Sequence, residues 1–483
     1  MIAQEYINEV VLKKEGIALR CSLVFTSAVI LALLVTGCSP KLPSEPMKTW
    51  EELEEIARAF VISLSQEKYD DASKVMDKKM EKALPASELK KIWTSLLSQA
   101  GNWQEIAGVK SAEESGYRVV YVTGLFQKGS VDIKVVFDNE AKIAGLWFGS
   151  VASIEYEPPS YAKEDLFVEK EVVVGEGKWA LPGTLTLPRS ASADNRVPGV
   201  VLVHGSGPND RDETIGPNKP FKDLAWGLAS KGVAVLRYEK RTREYQKELS
   251  EDPEQATNLT VKEETMEDAV AAVTLLKTID EIDPDGIVII GHSLGGMLGP
   301  RIAQMCNDAI DLHKLDASIA GLVMMAAPAR NLLDLTVDQI RYLASLDGNV
   351  DSDETAKIME IEELAEKIRS GSVADDEIVL GAYKAYWEDL MAYDQVKTAQ
   401  DLSLPILILQ GERDYQVSMT DLDMWKSALY GKPNVSIKTY PDLNHLLMSG
   451  RGKSTPDEYM ELSHVSEEVV NDIAEWVRSL PTS

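Results

Sequence analysis

The chain has 483 residues, more than one ordinary domain holds, so two folded units are expected. Its 44% hydrophobic and 27% charged residues are the mix of a folded soluble protein, which excludes a disordered chain. A formal net charge of −28 repels phosphate backbones, so nucleic acid and anionic polymers are excluded as partners and an uncharged or cationic small molecule is favoured.

Lys13, Lys14 and Arg20 precede an uncharged stretch from Cys21 to Pro40 that contains the apolar run Ala28 to Val35. A basic segment followed by an apolar one is the order of a secretory signal. The run ends in Val35-Thr36-Gly37-Cys38, which resembles the bacterial lipobox, and the resemblance implies cleavage before Cys38 and lipid on its thiol. Residues 1–38 are accordingly read as a lipoprotein signal peptide. Residues 39–48, rich in Pro, Ser and Lys, are read as a linker holding an extracytoplasmic body off a membrane. The competing reading is an uncleaved anchor, because about 20 apolar residues can span a bilayer. With Cys38 used for lipid, Cys21 and Cys306 supply no disulfide framework, and Cys306 is expected to pack as a small hydrophobe.

Residues 49–155 read as a small α+β domain. Leu53, Ile56, Ala57, Phe60 and Val61 recur at helical spacing, and a second helical stretch covers Leu89 to Leu97. Tyr117 to Val122, Val131 to Phe137 and Ile143 to Phe148 alternate as strands, with Asp138-Asn139-Glu140 as a hairpin turn. The pattern resembles the cone-shaped, nuclear-transport-factor-like domains found ahead of some bacterial hydrolases. It holds no histidine and no cluster of metal ligands, so binding or positioning is expected of it.

From 161 to 483 apolar strands alternate with amphipathic helices. Strands are expected at Phe167 to Val174, Ala180 to Leu187, Val200 to Val203, Val233 to Tyr238, Ile287 to Ile290, Ile319 to Met325, Pro405 to Leu409 and Val435 to Thr439. Helices are expected at Phe221 to Ser230, Thr265 to Thr278 and Glu467 to Leu480. This grammar specifies an α/β domain with a mainly parallel sheet covered on both faces. One charged helical stretch, about 330–402, replaces a short connection and is expected to be a cap. Tyr386, Trp387 and Tyr393 within it are candidates to line an acyl pocket, against the alternative that they are core.

Gly291-His292-Ser293-Leu294-Gly295-Gly296 follows a buried strand and opens a helix. G-x-S-x-G in that setting is a nucleophile elbow, where a strained serine is exposed on a sharp strand-to-helix turn. The elbow, together with Gly207-Pro208-Asn209-Asp210-Arg211-Asp212-Glu213, Arg237-Tyr238 and Arg241, resembles secreted bacterial serine esterases of the α/β-hydrolase superfamily, in its acetyl-esterase and prolyl-oligopeptidase branch. The resemblance covers about Tyr161 to Ser483. It implies the chain order Ser, acid, His.

Among the five histidines, His445 alone occupies the loop after the last expected strand. Asp414 fits the family's G-x-x-D-x-x-V turn in Gly411-Glu412-Arg413-Asp414, with Glu412 and Asp442 as the other candidate acids. The resemblance also implies an oxyanion hole from the backbone N–H groups of Ser206 and Leu294. A Gly-rich phosphate loop at His204-Gly205-Ser206-Gly207 is disfavoured, since no Lys-Ser/Thr follows it. The expected activity is hydrolysis of short to medium acyl esters through an acyl-enzyme, with no metal or organic cofactor. A serine peptidase, a lipase and a cell-surface binding protein are the alternatives; the peptidase reading lacks the large propeller and the lipase reading an apolar lid.

The lipobox reading predicts that Cys38→Ser leaves an uncleaved or mislocalised precursor, and that mass spectrometry of the native protein finds no peptide upstream of Cys38. Recovery of intact peptides spanning Lys14 to Leu34 from the membrane-bound form would favour the uncleaved anchor instead.

Overall fold

The computed structural model describes residues 48–481 except 115, 116, 127, 128, 150, 151, 154, 155 and 312–316. Cys38 and the expected signal peptide lie outside the described residues. Among those described, no helix is long and apolar enough to cross a membrane. The chain divides into two compact units between Tyr156 and Glu157.

In the first unit, helix α1 (Trp50–Ser65) begins with a reciprocal cap. The Thr49 hydroxyl accepts from the Glu52 N–H at 3.2 Å while the Glu52 carboxylate accepts from the Thr49 N–H at 2.7 Å, satisfying two otherwise unpaired donors. The buried stripe Leu53, Ala57, Phe60, Val61 and Leu64 joins helix α2 (Ala86–Ala100) in one core with an antiparallel sheet. That sheet runs β1 (Trp103–Glu114), β2 (Tyr117–Phe126), β3 (Gly129–Phe137), β4 (Ile143–Phe148) in chain order, and the short β5 (Ala152–Ser153) pairs with β3.

Strand β1 is absent from the sequence expectations. Its pairing slips between Trp103 and Glu105 and again between Ile106 and Gly108. Two irregularities in six residues break the alternation on which a strand is recognised.

Trp93 of α2 is the aromatic centre of this core, with ring centroids 5.7 Å from Trp103, 5.7 Å from Phe126 and 6.4 Å from Phe148. Gly124 lets the Trp103 ring lie across β2, since a Cβ there would stand 2.5 Å from that ring.

The second unit is built on an eight-stranded sheet, β13-β12-β11-β10-β8-β9-β7-β6. Its strands are β6 (Phe167–Val174), β7 (Leu181–Pro188), β8 (Val197–Val203), β9 (Ala234–Tyr238), β10 (Ile282–His292), β11 (Gly321–Met325), β12 (Ile406–Gly411) and β13 (Val435–Tyr440). Only β6 with β7 and β7 with β9 pair antiparallel. The other neighbours are parallel, as expected from their nearly continuous apolar runs.

Side-chain alternation divides the interior in two. Val201, Val203, Ile287 and Ile289 face one apolar layer with helices α4 (Glu267–Lys277) and α5 (Leu294–Asp311). Val200, Leu202, Val288 and Ile290 face the other with α3 (Pro220–Ala229) and α11 (Glu467–Ser479). Cys306 is fully buried in the first layer, and burial pushes its thiol up to about 12, so it stays a protonated packing group.

From β8 the chain crosses to β9 on one side, while from β10 it crosses to β11 on the other. The crevice at the carboxyl ends of β8 and β10 is therefore the topological switch point, where ligands bind in open α/β sheets.

Between β11 and β12 the chain inserts α6 (Leu332–Ala344), α7 (Ser352–Arg369), α8 (Lys384–Ala392) and α9 (Gln395–Asp401). The expected helix beginning at Thr265 is preceded by a wide, π-type turn, Lys262–Met266, that buries Glu264. After β12, α10 (Met419–Ala428) packs Leu422 and Trp425 into the layer of α4 and α5.

Trp93→Ala removes the aromatic centre of the first unit, and large-to-small core changes of this kind cost about 3–5 kcal/mol. A urea-unfolding series on the full chain is expected to show that loss; a cost below about 1 kcal/mol would mean the core closes around the gap.

Candidate active site

Strand β10 ends at His292 and α5 begins at Leu294, so Ser293 alone makes the turn. Its φ is +53°, a left-handed backbone that costs a non-glycine residue about 1–3 kcal/mol and is held only by its surroundings. Those surroundings are hydrogen bonds: the Ser293 N–H donates to the Met325 carbonyl at 2.9 Å, and its carbonyl accepts from Met297 N–H at 2.9 Å. Gly295 is required because α5 starts hard against β8, where a Cβ would sit 2.3 Å from the Val203 carbonyl oxygen. The result leaves Ser293 half-buried at the crevice among fully buried neighbours.

His445 sits in the loop after β13 and Asp414 in the loop after β12. The His445 Nδ1 is 2.7 Å from Asp414 Oδ2, with both side chains buried. Asp414 is fixed in turn. Its Oδ1 accepts from the N–H groups of Gln416 at 2.8 Å and Val417 at 2.9 Å, and Oδ2 also accepts from Gln410 Nε2 at 3.2 Å. Glu412 and Asp442, the other candidate acids, are exposed. Asn444 shapes the histidine loop, its Oδ1 accepting from Leu446 N–H at 3.1 Å and Met448 N–H at 3.2 Å.

The loop leaving β8 lies against the elbow: a Cβ on Gly205 would stand 3.2 Å from Ser293 Cβ. Ser206 and Leu294 are thus carried on two adjoining segments. The Gly205 peptide is held on both sides, its N–H donating to Glu213 Oε1 at 2.6 Å and its carbonyl accepting from Lys240 Nζ at 2.8 Å. Burial lowers the His204 pKa to about 4, so this histidine is neutral at pH 7.

Two features go beyond the sequence reading. His292, given no role of its own in the sequence reading, has polar neighbours at both ring nitrogens. Its Nε2 is 3.0 Å from the His445 carbonyl oxygen, and its Nδ1 is 2.9 Å from Glu213 Oε2. The second contact is poorly angled for a hydrogen bond, so it is electrostatic. Burial opposes a charge on His292, but the Glu213 carboxylate outweighs it and raises the imidazole above its ordinary range. Glu213 closes a charged run that is read only for its family resemblance and is given no role of its own, yet it is 2% exposed. No periodic signal in the sequence distinguishes it.

Asp210 and Arg211 do not pair: Arg211 binds Glu171 and Glu239, each at 2.8 Å, while Asp210 accepts from the backbone N–H groups of Asp212 and Thr214. Arg237 pairs with Asp212 and Glu169, and Arg241 with Asp268.

Tyr386 and Trp387 are buried within the apolar layer of α4 and α5, and their polar tips are used. Tyr386 Oη donates to Glu264 at 2.9 Å and Trp387 Nε1 to the Val379 carbonyl at 2.8 Å. Tyr393 packs against the same cluster and donates to the Met297 carbonyl, in α5, at 3.1 Å. A wide aromatic ring on a helix serves burial and a pocket equally well, which is why spacing alone did not separate them. His313 lies outside the described residues. Among the described residues no group of three His, Cys, Asp or Glu could hold a metal ion.

Comparison with known proteins bears on both units. Residues 200–462 match the family model described as "Alpha/beta hydrolase family", and residues 57–146 match one described as "Protein of unknown function (DUF3887)". The chain is 41% identical over 418 residues to Esterase EstD of Thermotoga maritima, covering 86% of this chain and 93% of that protein. Among solved structures it is similar to an esterase of Pyrobaculum calidifontis, at 17% identity and a TM-score of 0.43, covering 67% of this chain and 88% of that one. Est1E of Butyrivibrio proteoclasticus matches at 16% identity and a TM-score of 0.39, covering 64% of this chain and 99% of that one.

The buried position of Trp387 predicts that Trp387→Ala destabilises the chain by about 3–5 kcal/mol in urea unfolding. The ratio of rates on short and medium acyl esters should change by less than the roughly ten-fold that one methylene of pocket is worth. A large shift in that ratio with stability intact would return Trp387 to the pocket wall.

Proposed function

The chain belongs to the α/β-hydrolase family and is a carboxylesterase, and on that premise we propose that Ser293, His445 and Asp414 form its catalytic triad and that hydrolysis runs through an acyl-enzyme. The observation that carries this reading is the buried 2.7 Å contact of His445 Nδ1 with Asp414, beside a left-handed serine at the switch point of the sheet.

A serine hydroxyl is a weak nucleophile at its own pKa and needs a base. In the proposed cycle His445 Nε2 takes the proton as Ser293 Oγ attacks the ester carbonyl carbon. Asp414 holds the imidazole in the Nδ1–H tautomer and stabilises the imidazolium that forms. The carbonyl oxygen becomes an oxyanion, received by the backbone N–H groups of Ser206 and Leu294. Such donors are typically worth about 3–4 kcal/mol each in the barrier. His445 then gives its proton to the departing alkoxide, and the alcohol leaves Ser293 acylated. Water, deprotonated by His445, attacks the acyl carbon; the bond to Ser293 Oγ breaks, His445 returns the proton to that oxygen, and the acid leaves.

The substrate class proposed is a short to medium acyl ester without negative charge, consistent with the net charge of −28. The basic and apolar run ending at Cys38 supports a further proposal, that the enzyme is exported and held at a membrane by lipid on that cysteine.

Ser293→Ala is expected to abolish turnover of a short p-nitrophenyl ester without loss of folded structure, and an organophosphate should label the wild-type peptide carrying Ser293. Asp414→Asn should lower kcat on the order of 10⁴-fold, with Glu412→Gln close to wild type. Labelling at another residue, or turnover surviving Ser293→Ala, would sink the assignment; a reversed pair of acid results would move the acid to Glu412.

A further inference from the structure

Two side chains not used by the proposed chemistry connect its parts through three contacts. Glu213 Oε1 accepts the Gly205 N–H at 2.6 Å, Glu213 Oε2 is 2.9 Å from His292 Nδ1, and His292 Nε2 is 3.0 Å from the His445 carbonyl oxygen. One carboxylate and one imidazole thus span from the loop that carries Ser206 to the backbone of the residue expected to act as base. All of the span is buried: Glu213 is 2% exposed, His292 4% and His445 4%. Phe221, Leu224, Met325, Leu446 and Leu447 line the space beside it.

We infer that Glu213 and His292 are positioning residues that lock the oxyanion loop and the His445 loop into one register. The inference rests on the triad reading above and assigns these two residues a role in it.

The geometry sets what each end must do. A carbonyl oxygen only accepts, so His292 Nε2 carries a hydrogen and donates it to His445. Glu213 reaches the Gly205 N–H with one oxygen and His292 with the other, so its length matters as well as its charge. Removing the bridge would let the two loops drift independently by fractions of an ångström. A substrate would still bind, because the crevice walls are unchanged, but the oxyanion donor and the base would no longer be aligned together in the transition state.

Three substitutions separate length from charge. Glu213→Gln has the same reach: its carbonyl oxygen accepts from Gly205 while its amide faces His292 Nδ1, which then acts as acceptor. Glu213→Asp keeps the charge but is one methylene too short to make both contacts. Glu213→Ala makes neither. Each variant is assayed as kcat per active site, the sites being counted by organophosphate titration, so partial misfolding lowers the titre and not the reading.

The expected result is a loss of about 100-fold in kcat for Glu213→Asp and Glu213→Ala with KM within about two-fold, and recovery to within about five-fold of wild type for Glu213→Gln. His292→Ala should fall as far as Glu213→Ala, and the double variant no further, since the two act as one bridge. Full activity in Glu213→Asp would overturn the inference, as would a KM-only effect or Glu213→Gln as impaired as Glu213→Ala. If Glu213→Ala does not fold, the opposed outcomes for the Asp and Gln variants still decide it. Failure of the organophosphate to label wild-type Ser293 would overturn the triad reading itself, a separate result.

Discussion

Strands β8 and β10 pair in parallel with Val203 beside Gly291, and every element of the site takes its place from that register. Parallel neighbours end on the same side of a sheet, so the residues that follow them emerge together. Here these are Gly205 and Ser206 from one strand, and Ser293 and Leu294 from the other. A slip of one residue would turn the inward faces of the strand outward and set the glycine loop away from the serine. Val200 to Val203 and Ile287 to Ile290 are apolar without a break and packed on both faces, so a slip would exchange side chains fitted to two different layers. The reactive geometry is therefore a by-product of packing, and the strained turn at Ser293 is held by bonds to Met325 and Met297 that the same packing positions.

Around that register the enzyme concentrates polar groups in a setting where each must be matched. Lys240, Glu213, Glu264, His292 and Asp414 are all 5% exposed or less. An unpaired charge at that depth is heavily disfavoured, while a matched set in low dielectric is stiff. The Gly205 peptide is gripped by an acid at its N–H and an amine at its carbonyl. A loop of glycines, which alone would be the most mobile kind of backbone, is thereby given a single conformation.

How much of this was legible depended on whether a residue's role is local. The elbow was readable because its pattern is short and sits between a buried strand and a helix; Gly291 answers to the backbone of Gly295 just beyond it, although Gly295 answers to Val203 on another strand. His445 and Asp414 were placed by the chain order and the G-x-x-D-x-x-V turn that the family resemblance implies, laid on the loops after the last two expected strands. Strand β1 was invisible because its two register shifts erase the alternation. The role of Glu213 was not legible for a different reason: its partner His292 lies 79 residues away, and a carboxylate in a charged run carries no mark of what will fold over it. Tyr386 and Trp387 had the right place in the chain for a pocket, but hydrophobic spacing reports burial and not which cavity a ring borders.

The hydroxyl of Tyr386, in the insertion, is bonded to Glu264, and Lys240 stands 3.4 Å from the same carboxylate while holding Gly205. In evolutionary terms the insertion is not a detachable accessory. A lineage that lost or exchanged it would leave a buried acid short of a donor and loosen the amine that steadies the glycine loop. Recombination across the boundary of the insertion would then favour incoming segments that bring their own hydroxyl to Glu264, so the diversity open to this segment is filtered by a group that reaches the glycine loop through Lys240.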